Sequence, residues 1–413
     1  MTDFLLRDAL IVDGETDVPR GPVDIRVEGG RIVALSETEL TAPAGLSVIE
    51  AERRIVMPGL IDAHVHVIAT TPNLGANAAL PNSLVALHAA RIMRGMLHRG
   101  FTTVRDLGGA DIGLVEAEEA GLIEGPRLVI CGKALSQTGG HTDYRGRYDR
   151  RDAAQYPDRL GAMGRIADGV DALRLAIREE IKAGAEFVKL MANGGVSSPT
   201  DPIAFLGFSR EEMLAAAEEA AMAQTYVAAH LYTDEAIRRG VECGVHSVEH
   251  GNLVTAETAR LMAEKGCIAV PTLATYEALA EDGPGLGLPP DSIAKIEDVR
   301  GAGLASLAIF RDAGVEMAFG TDLLGDMHRR QSDEFRIRAQ VLPPAEIIRS
   351  ATSVGAKLLR REGEIGTLAP GASADMILVD GNPLADLSLL TGQGEALALI
   401  IKRGSIVKNR LPA

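Results

Sequence analysis

The sequence predicts an α/β protein: a (β/α)8 TIM barrel carrying a small β-sandwich module built from both chain ends. Three observations predict it. The chain has 413 residues, room for one barrel of roughly 250 residues plus a smaller module. Its middle alternates short apolar runs with amphipathic stretches, the pattern of parallel strands joined by crossover helices. Its ends hold β-like runs separated by turn residues instead.

In chain order, residues 1–57 contain FLLRDALIVDG and VDIRVEGGRIVALS, with Gly29–Gly30 as a hairpin signal. Eight strand candidates follow: 60–66, 102–109, 127–135, 186–195, 226–232, 245–251, 267–273 and 316–322. Amphipathic stretches such as REEMLAAAEEAAMAQ (210–224) lie between them. Residues 136–170 and 276–300 read as long loops over the C-terminal face of the barrel, where substrate sites form. The last β-like runs are GTLAPGASADMILVDGNP and ALALIIKRGSIVKNR. The expected division is therefore a β-module from 1–57 and 361–413 around a barrel over 58–360.

Hydrophobic residues make up 46% and charged residues 24%, enough for a large buried core. The net charge of −15, from 42 basic and 57 acidic residues, argues against nucleic acid and anionic membrane as partners. Cys131, Cys243 and Cys267 match no CxxC or zinc-finger spacing, as expected of buried, reduced thiols in a cytoplasmic protein. The chain start has neither a basic region nor a sustained apolar one, and no run reaches the ~18 apolar residues of a membrane span.

The informative polar residues sit at strand ends. His64 and His66 lie two apart, and in a strand i and i+2 share a face, so both imidazoles can point at one metal. Alone, this pair is weak evidence. Lys189 lies in FVKLMANGG, where a lysine is costly unless paired or chemically altered. Taken singly it reads best as a salt-bridged lysine; the sharper reading is reaction with CO2 to a carbamate, an anionic ligand able to bridge two metals. His230, His250 and Asp322 each end an apolar run. A lone histidine there is more often a core residue, and a lone Asp a helix cap. Together, six potential ligands fall on five predicted strands and take four of the nine histidines. Neutral imidazoles for borderline metals, bridging anionic oxygens and a carboxylate beside a water are what metal-assisted hydrolysis needs. His88, His98, His246 and His328 have no such pattern. Arg145, Arg147, Arg329 and Arg330 occur in predicted loops over the site, where an arginine can grip a substrate carboxylate.

The ordered set His64-Val65-His66, Lys189, His230, His250 and Asp322 resembles the amidohydrolase superfamily, in the subtype with a carboxylated lysine between two metals. VMPGLIDAHVH and GTLAPGASADMILVDGNP extend the resemblance over nearly the whole chain. ALSQTGGHTD, AAHLYTDEAIRRGV, SVEHGNLV and FGTDLLGDMHRRQSDEF are similar to its prolidase-like branch. That branch includes Xaa-Pro dipeptidases and relatives that hydrolyse ochratoxin A, an N-acyl phenylalanine. The resemblance implies two divalent metals, with zinc suited to the ligands, and N6-carboxylysine at Lys189. His64, His66 and Asp322 would hold the more buried metal, His230 and His250 the more exposed one. It also implies that Asp322 transfers protons, and that His141 and Tyr232 hydrogen-bond the scissile carbonyl as it becomes an oxyanion. Substrates would be N-acyl amino acids or dipeptides, and the assembly a homo-oligomer. Two alternatives stand beside this: a hydrolase of cyclic amides, lactones or xenobiotic amides, and a metal-holding barrel without catalysis.

Overall fold

The computed structural model describes residues 3–196, 201–282 and 290–411. The N-terminal runs form β1 (Phe4–Ile11), β2 (Arg20–Glu28), β3 (Arg31–Ser36), β4 (Ser47–Glu50) and β5 (Ile55–Pro58). β2 turns into β3 through Gly29 and Gly30, whose φ angles of 56° and 78° suit a tight hairpin. The central region supplies β6 (Leu60–Val65), β7 (Phe101–Asp106), β8 (Arg127–Ile130), β9 (Ala134–Ser136) and β10 (Gly164–Ile166). It continues with β11 (Val188–Met191), β12 (Val227–Thr233), β13 (Ser247–Leu253) and β14 (Ile268–Val270). The C-terminal region adds β15 (Met376–Val379), β16 (Leu397–Lys402) and β17 (Ser405–Asn409).

The terminal strands meet in one eight-stranded sheet, ordered β17-β16-β15-β5-β1-β2-β3 with β4 beside β1. β15 runs antiparallel to β5, from Met376 opposite Pro58 to Val379 opposite Ile55. This sheet has its own apolar cluster, with Phe4, Leu6, Ile25, Met376 and Ile401 at its centre. The central strands are all parallel, in a three-stranded sheet β6-β7-β8 and a six-stranded sheet β10-β9-β11-β12-β13-β14. Strands β6, β7 and β11 are buried at every residue. Burial on both faces explains why they read as continuous apolar runs rather than alternating ones. Helices cross between the strands. The stretch 210–224 forms the helix Arg210–Met222, opened by a capping box in which Ser209 and Glu212 satisfy each other's backbone N–H groups.

The structure departs from the sequence reading at β10, a strand inside the run 136–170 read as loop, and at three further places. The run 127–135 is broken: Gly132, at φ 66°, separates β8 from β9, which belong to different sheets. The run 316–322 is no regular strand and makes one bridge, Met317 to Ala269. Its backbone nevertheless spans β14 and β6, since Ala318 donates to Ala269 O at 2.9 Å and Ala63 donates to Phe319 O at 2.7 Å. Gly320 permits that approach: a Cβ there would lie 2.5 Å from Val270 Cγ1 and 2.9 Å from His64 Cβ. Finally, 276–300 is mostly helical, in Leu273–Asp282 and Pro290–Ala313, with 283–289 outside the described residues. Ile296, Val299, Leu307 and Phe310 recur at helical spacing and are buried.

All three cysteines are free and buried. Among the described residues no helix is long and apolar enough to cross a membrane.

Candidate metal centre

His64, His66, His141, Lys189, His230, His250 and Asp322 line one cavity at the ends of the parallel strands. Alternation places His64 with Asp62, and His230 with Tyr232, on common strand faces. His250 and Glu249 are neighbours, so a regular strand would send them to opposite faces. His250 instead has φ 72°, and both side chains reach the site. Asp322 has φ 53° and anchors its backbone N–H on His64 O at 2.8 Å. Left-handed backbone at non-glycine residues costs about 1–3 kcal/mol and gathers at functional sites.

Hydrogen bonds at the outer nitrogens of the rings fix where the inner nitrogens point. His64 Nδ1 lies 2.8 Å from Glu249 Oε2 and His66 Nδ1 3.3 Å from Gly108 O. His230 Nε2 lies 3.3 Å from Gly194 O. A carbonyl or carboxylate oxygen only accepts, so each of these nitrogens carries the proton. The inner nitrogens turn toward Asp322 and toward one another. His66 Nε2 and His64 Nε2 lie 3.1 and 3.4 Å from Asp322 Oδ1. His230 Nδ1 lies 2.9 Å from His250 Nε2. Burial holds both His230 and His250 well below the ordinary histidine pKa, so both rings are neutral. His64, His250 and Asp322 each offer a ligand atom within 4.8 Å of the others. This cluster of imidazole nitrogens and a carboxylate fits divalent cations.

Charge around the cluster is arranged to the same end. Burial works against the Asp322 carboxylate, but the charge of His64 and hydrogen bonds from His64 and His66 hold it well below the usual range. Burial also opposes protonation of His64, yet Asp322 outweighs it and raises that pKa; a cation in the same place answers the same demand. Lys189 is 2% exposed, and burial lowers its pKa. Among the described residues no carboxylate forms a salt bridge with it, so the plain salt-bridged reading of this lysine is not met. Glu249 and Asp322 act on it through space.

His141 stacks on His230 at 4.5 Å, and its Nδ1 is 3.6 Å from Asp201 Oδ2. Gly195 makes this possible, since a Cβ there would fall 1.9 Å from His141 Cε1. Tyr232 is not a lining residue of the cavity; it stacks on His250 at 4.9 Å and meets His230 edge-on at 4.8 Å. The loop arginines are not among the residues that line the cavity. Arg145 is clamped by Asp143 at 2.7 and 2.8 Å, Arg329 pairs with Asp282 at 3.2 Å, and Arg330 with Glu281 at 2.8 Å. Arg147 is exposed. Acids of nearby loops and helices thus hold three of the four. Of the other histidines, His98 pairs with Glu124 at 2.7 Å. His328 faces Ala69 O at 3.2 Å, its pKa pushed by burial to about 3.

Sequence reading missed Glu249 and Arg105. Arg105 donates to Glu249 Oε1 at 2.8 Å and to Ala63 O at 2.6 Å, and both side chains are 0% exposed. Glu249 thereby stays ionised despite burial and orients His64, as partners behind metal ligands do. The signal was present: opposite charges inside two apolar runs, TTVRDL and SVEHG. Arg105→Ala is expected to destabilise the fold by about 3–5 kcal/mol, because it strands a buried carboxylate. Urea denaturation measures this, and a loss below about 1 kcal/mol would mean that Glu249 is balanced by another group.

The amidohydrolase family model matches residues 55–407. Ochratoxinase of Aspergillus niger is 32% identical over 366 residues, covering 86% of this chain and 76% of the relative. A crystal structure of an amidohydrolase shares 51% identity with a TM-score of 0.96, over 100% of both chains. A prolidase crystallised with N-methylphosphonate-L-proline shares 48% identity with a TM-score of 0.97, over 99% of this chain and 100% of that one. The chain belongs to the amidohydrolase family, in the branch of ochratoxinase- and prolidase-like proteins.

Proposed function

We propose that this protein hydrolyses amide bonds of N-acyl amino acids or dipeptides at a binuclear centre. His64, His66 and Asp322 would hold one metal, His230 and His250 the other, and a carboxylated Lys189 would join them. The carrying observation is the convergence of four imidazole rings and Asp322 around a buried lysine that, among the described residues, forms no salt bridge. Burial favours the neutral amine of Lys189, the form that adds to CO2. Its Nζ forms a bond to the carbon of CO2 and loses a proton, giving a carbamate anion. Zinc suits nitrogen and oxygen donors of this kind.

Bound divalent metals supply acidity to a water molecule and positive charge to the amide carbonyl oxygen. The protein does the rest. Asp322, kept ionised by its histidines, takes the proton of the attacking water and passes it to the leaving nitrogen. His141 and Tyr232 donate hydrogen bonds to the oxygen that gains charge. In this reading the two parallel sheets and the segment 316–322 close into a (β/α)8 barrel over 58–360. Residues 1–57 and 361–413 form the sandwich-like module. The protein works in the cytoplasm as a homo-oligomer.

A panel of N-acyl amino acids and dipeptides, Xaa-Pro among them and scored by released amine, tests the substrate class. Proline-type and hydrophobic leaving residues are expected ahead of basic ones. Amidating the substrate carboxylate is expected to cost roughly 2–5 kcal/mol of transition-state binding. One observation favours a second reading, a hydrolase of cyclic amides or lactones: three of the four loop arginines are already held by acids. Equal hydrolysis of the free acid and its amide would select that second reading.

A further inference from the structure

Tyr276 lies on the helix Leu273–Asp282, directly after β14, and is 1% exposed. The start of this helix is locked in place. Ala274 N–H donates to Glu334 at 2.6 Å, Arg338 holds that carboxylate at 2.7 Å, and Arg338 also donates to Pro271 O at 2.7 Å. The Tyr276 hydroxyl is thereby fixed between two groups of the site, 3.0 Å from His250 Nδ1 and 3.1 Å from Tyr232 Oη.

A phenol has one proton to give. If Tyr276 gave it to His250 Nδ1, the ring's proton would sit on Nε2, aimed at His230 Nδ1, and His250 would be no ligand. With Nε2 as the ligand atom, Nδ1 carries the proton, and Thr272 Oγ1 at 2.8 Å and Tyr276 Oη at 3.0 Å are the acceptors that face it. Tyr276 then gives its own proton to Tyr232, whose oxygen is occupied as an acceptor. The proton of Tyr232 is left for a further acceptor. Hydrogen bonds aligned in one direction polarise one another, which strengthens the last donor of the chain.

We infer that Tyr276 is a positioning residue: it turns the ligand state of His250 into a fixed donor direction for the Tyr232 hydroxyl. The inference rests on the proposed reading that Tyr232 serves the scissile carbonyl oxygen. The test is a double-mutant cycle of Tyr276→Phe and Tyr232→Phe, both of which keep the ring. kcat and KM are measured on an N-acyl amino acid, and equilibrium affinity for N-methylphosphonate-L-proline by calorimetry. Tyr276→Phe is expected to lower kcat and analogue affinity about tenfold, with KM changed less than about twofold. In the Tyr232→Phe background the same substitution is expected to change neither. Multiplying effects would show that Tyr276 acts by packing, and would overturn the inference while leaving the role of Tyr232 intact. A Tyr232→Phe variant with normal kcat and analogue affinity would overturn both.

Discussion

Lys189→Ala is expected to lose metal and hydrolysis together. The side chain is fully enclosed at the strand ends, and burial favours its neutral form. Among the described residues it forms no salt bridge, so it has no structural duty of the kind a paired lysine would perform. As a carbamate it would supply anionic oxygen to the proposed metal centre, so its removal would take away a ligand. Partners one step further out are worth about 10–100-fold in metal affinity, and a direct ligand is expected to exceed that. Metal content by mass spectrometry, measured beside kcat, checks the result. Short-chain carboxylates added to the variant are expected to restore part of both. A variant that kept two metals and its activity would remove the bridging role.

Asp322→Asn is expected to abolish turnover while leaving the fold and most of the metal. Asparagine tolerates left-handed backbone, so the φ of 53° and the N–H bond to His64 O persist. It still offers an oxygen toward His64 and His66. What it lacks is a site that takes and returns a proton near neutral pH. General acid–base catalysis is worth about 10²–10⁴-fold, and lost orientation of the attacking water adds to it. Steady-state kinetics with circular dichroism and metal analysis read all three. Near-normal kcat would move the proton transfer to another residue.

Much of this arrangement was legible in the sequence because strand ends advertise themselves. His64 and His66 at i and i+2, and histidines closing AAHLY and SVEHG, need only strand periodicity to be placed. The parallel sheets follow from apolar runs buried on both faces, and the terminal sheet from two separate β-rich ends. What was not legible depends on departures from regularity. Glu249 and His250 share a site only because of a left-handed residue between regular neighbours, which alternation cannot foresee. The segment 316–322 reads as a strand, yet Gly320 lets its backbone press against His64 without a full ladder. The run 276–300 reads as loop, while the structure has the helix Leu273–Asp282, which sets Tyr276 beside His250. The arginines over the site were read from position alone. Arg145 is held by Asp143, two residues away, but the partner of Arg329, Asp282, lies 47 residues before it, too far to be paired in advance.

The most direct measurement of the central claim is a high-resolution crystal structure of the metal-loaded protein with anomalous scattering. The account predicts two metal peaks, one among His64, His66 and Asp322 and one at His230 and His250, with density for a CO2 adduct on Lys189 Nζ between them. A single peak beside an unmodified Lys189 would contradict it.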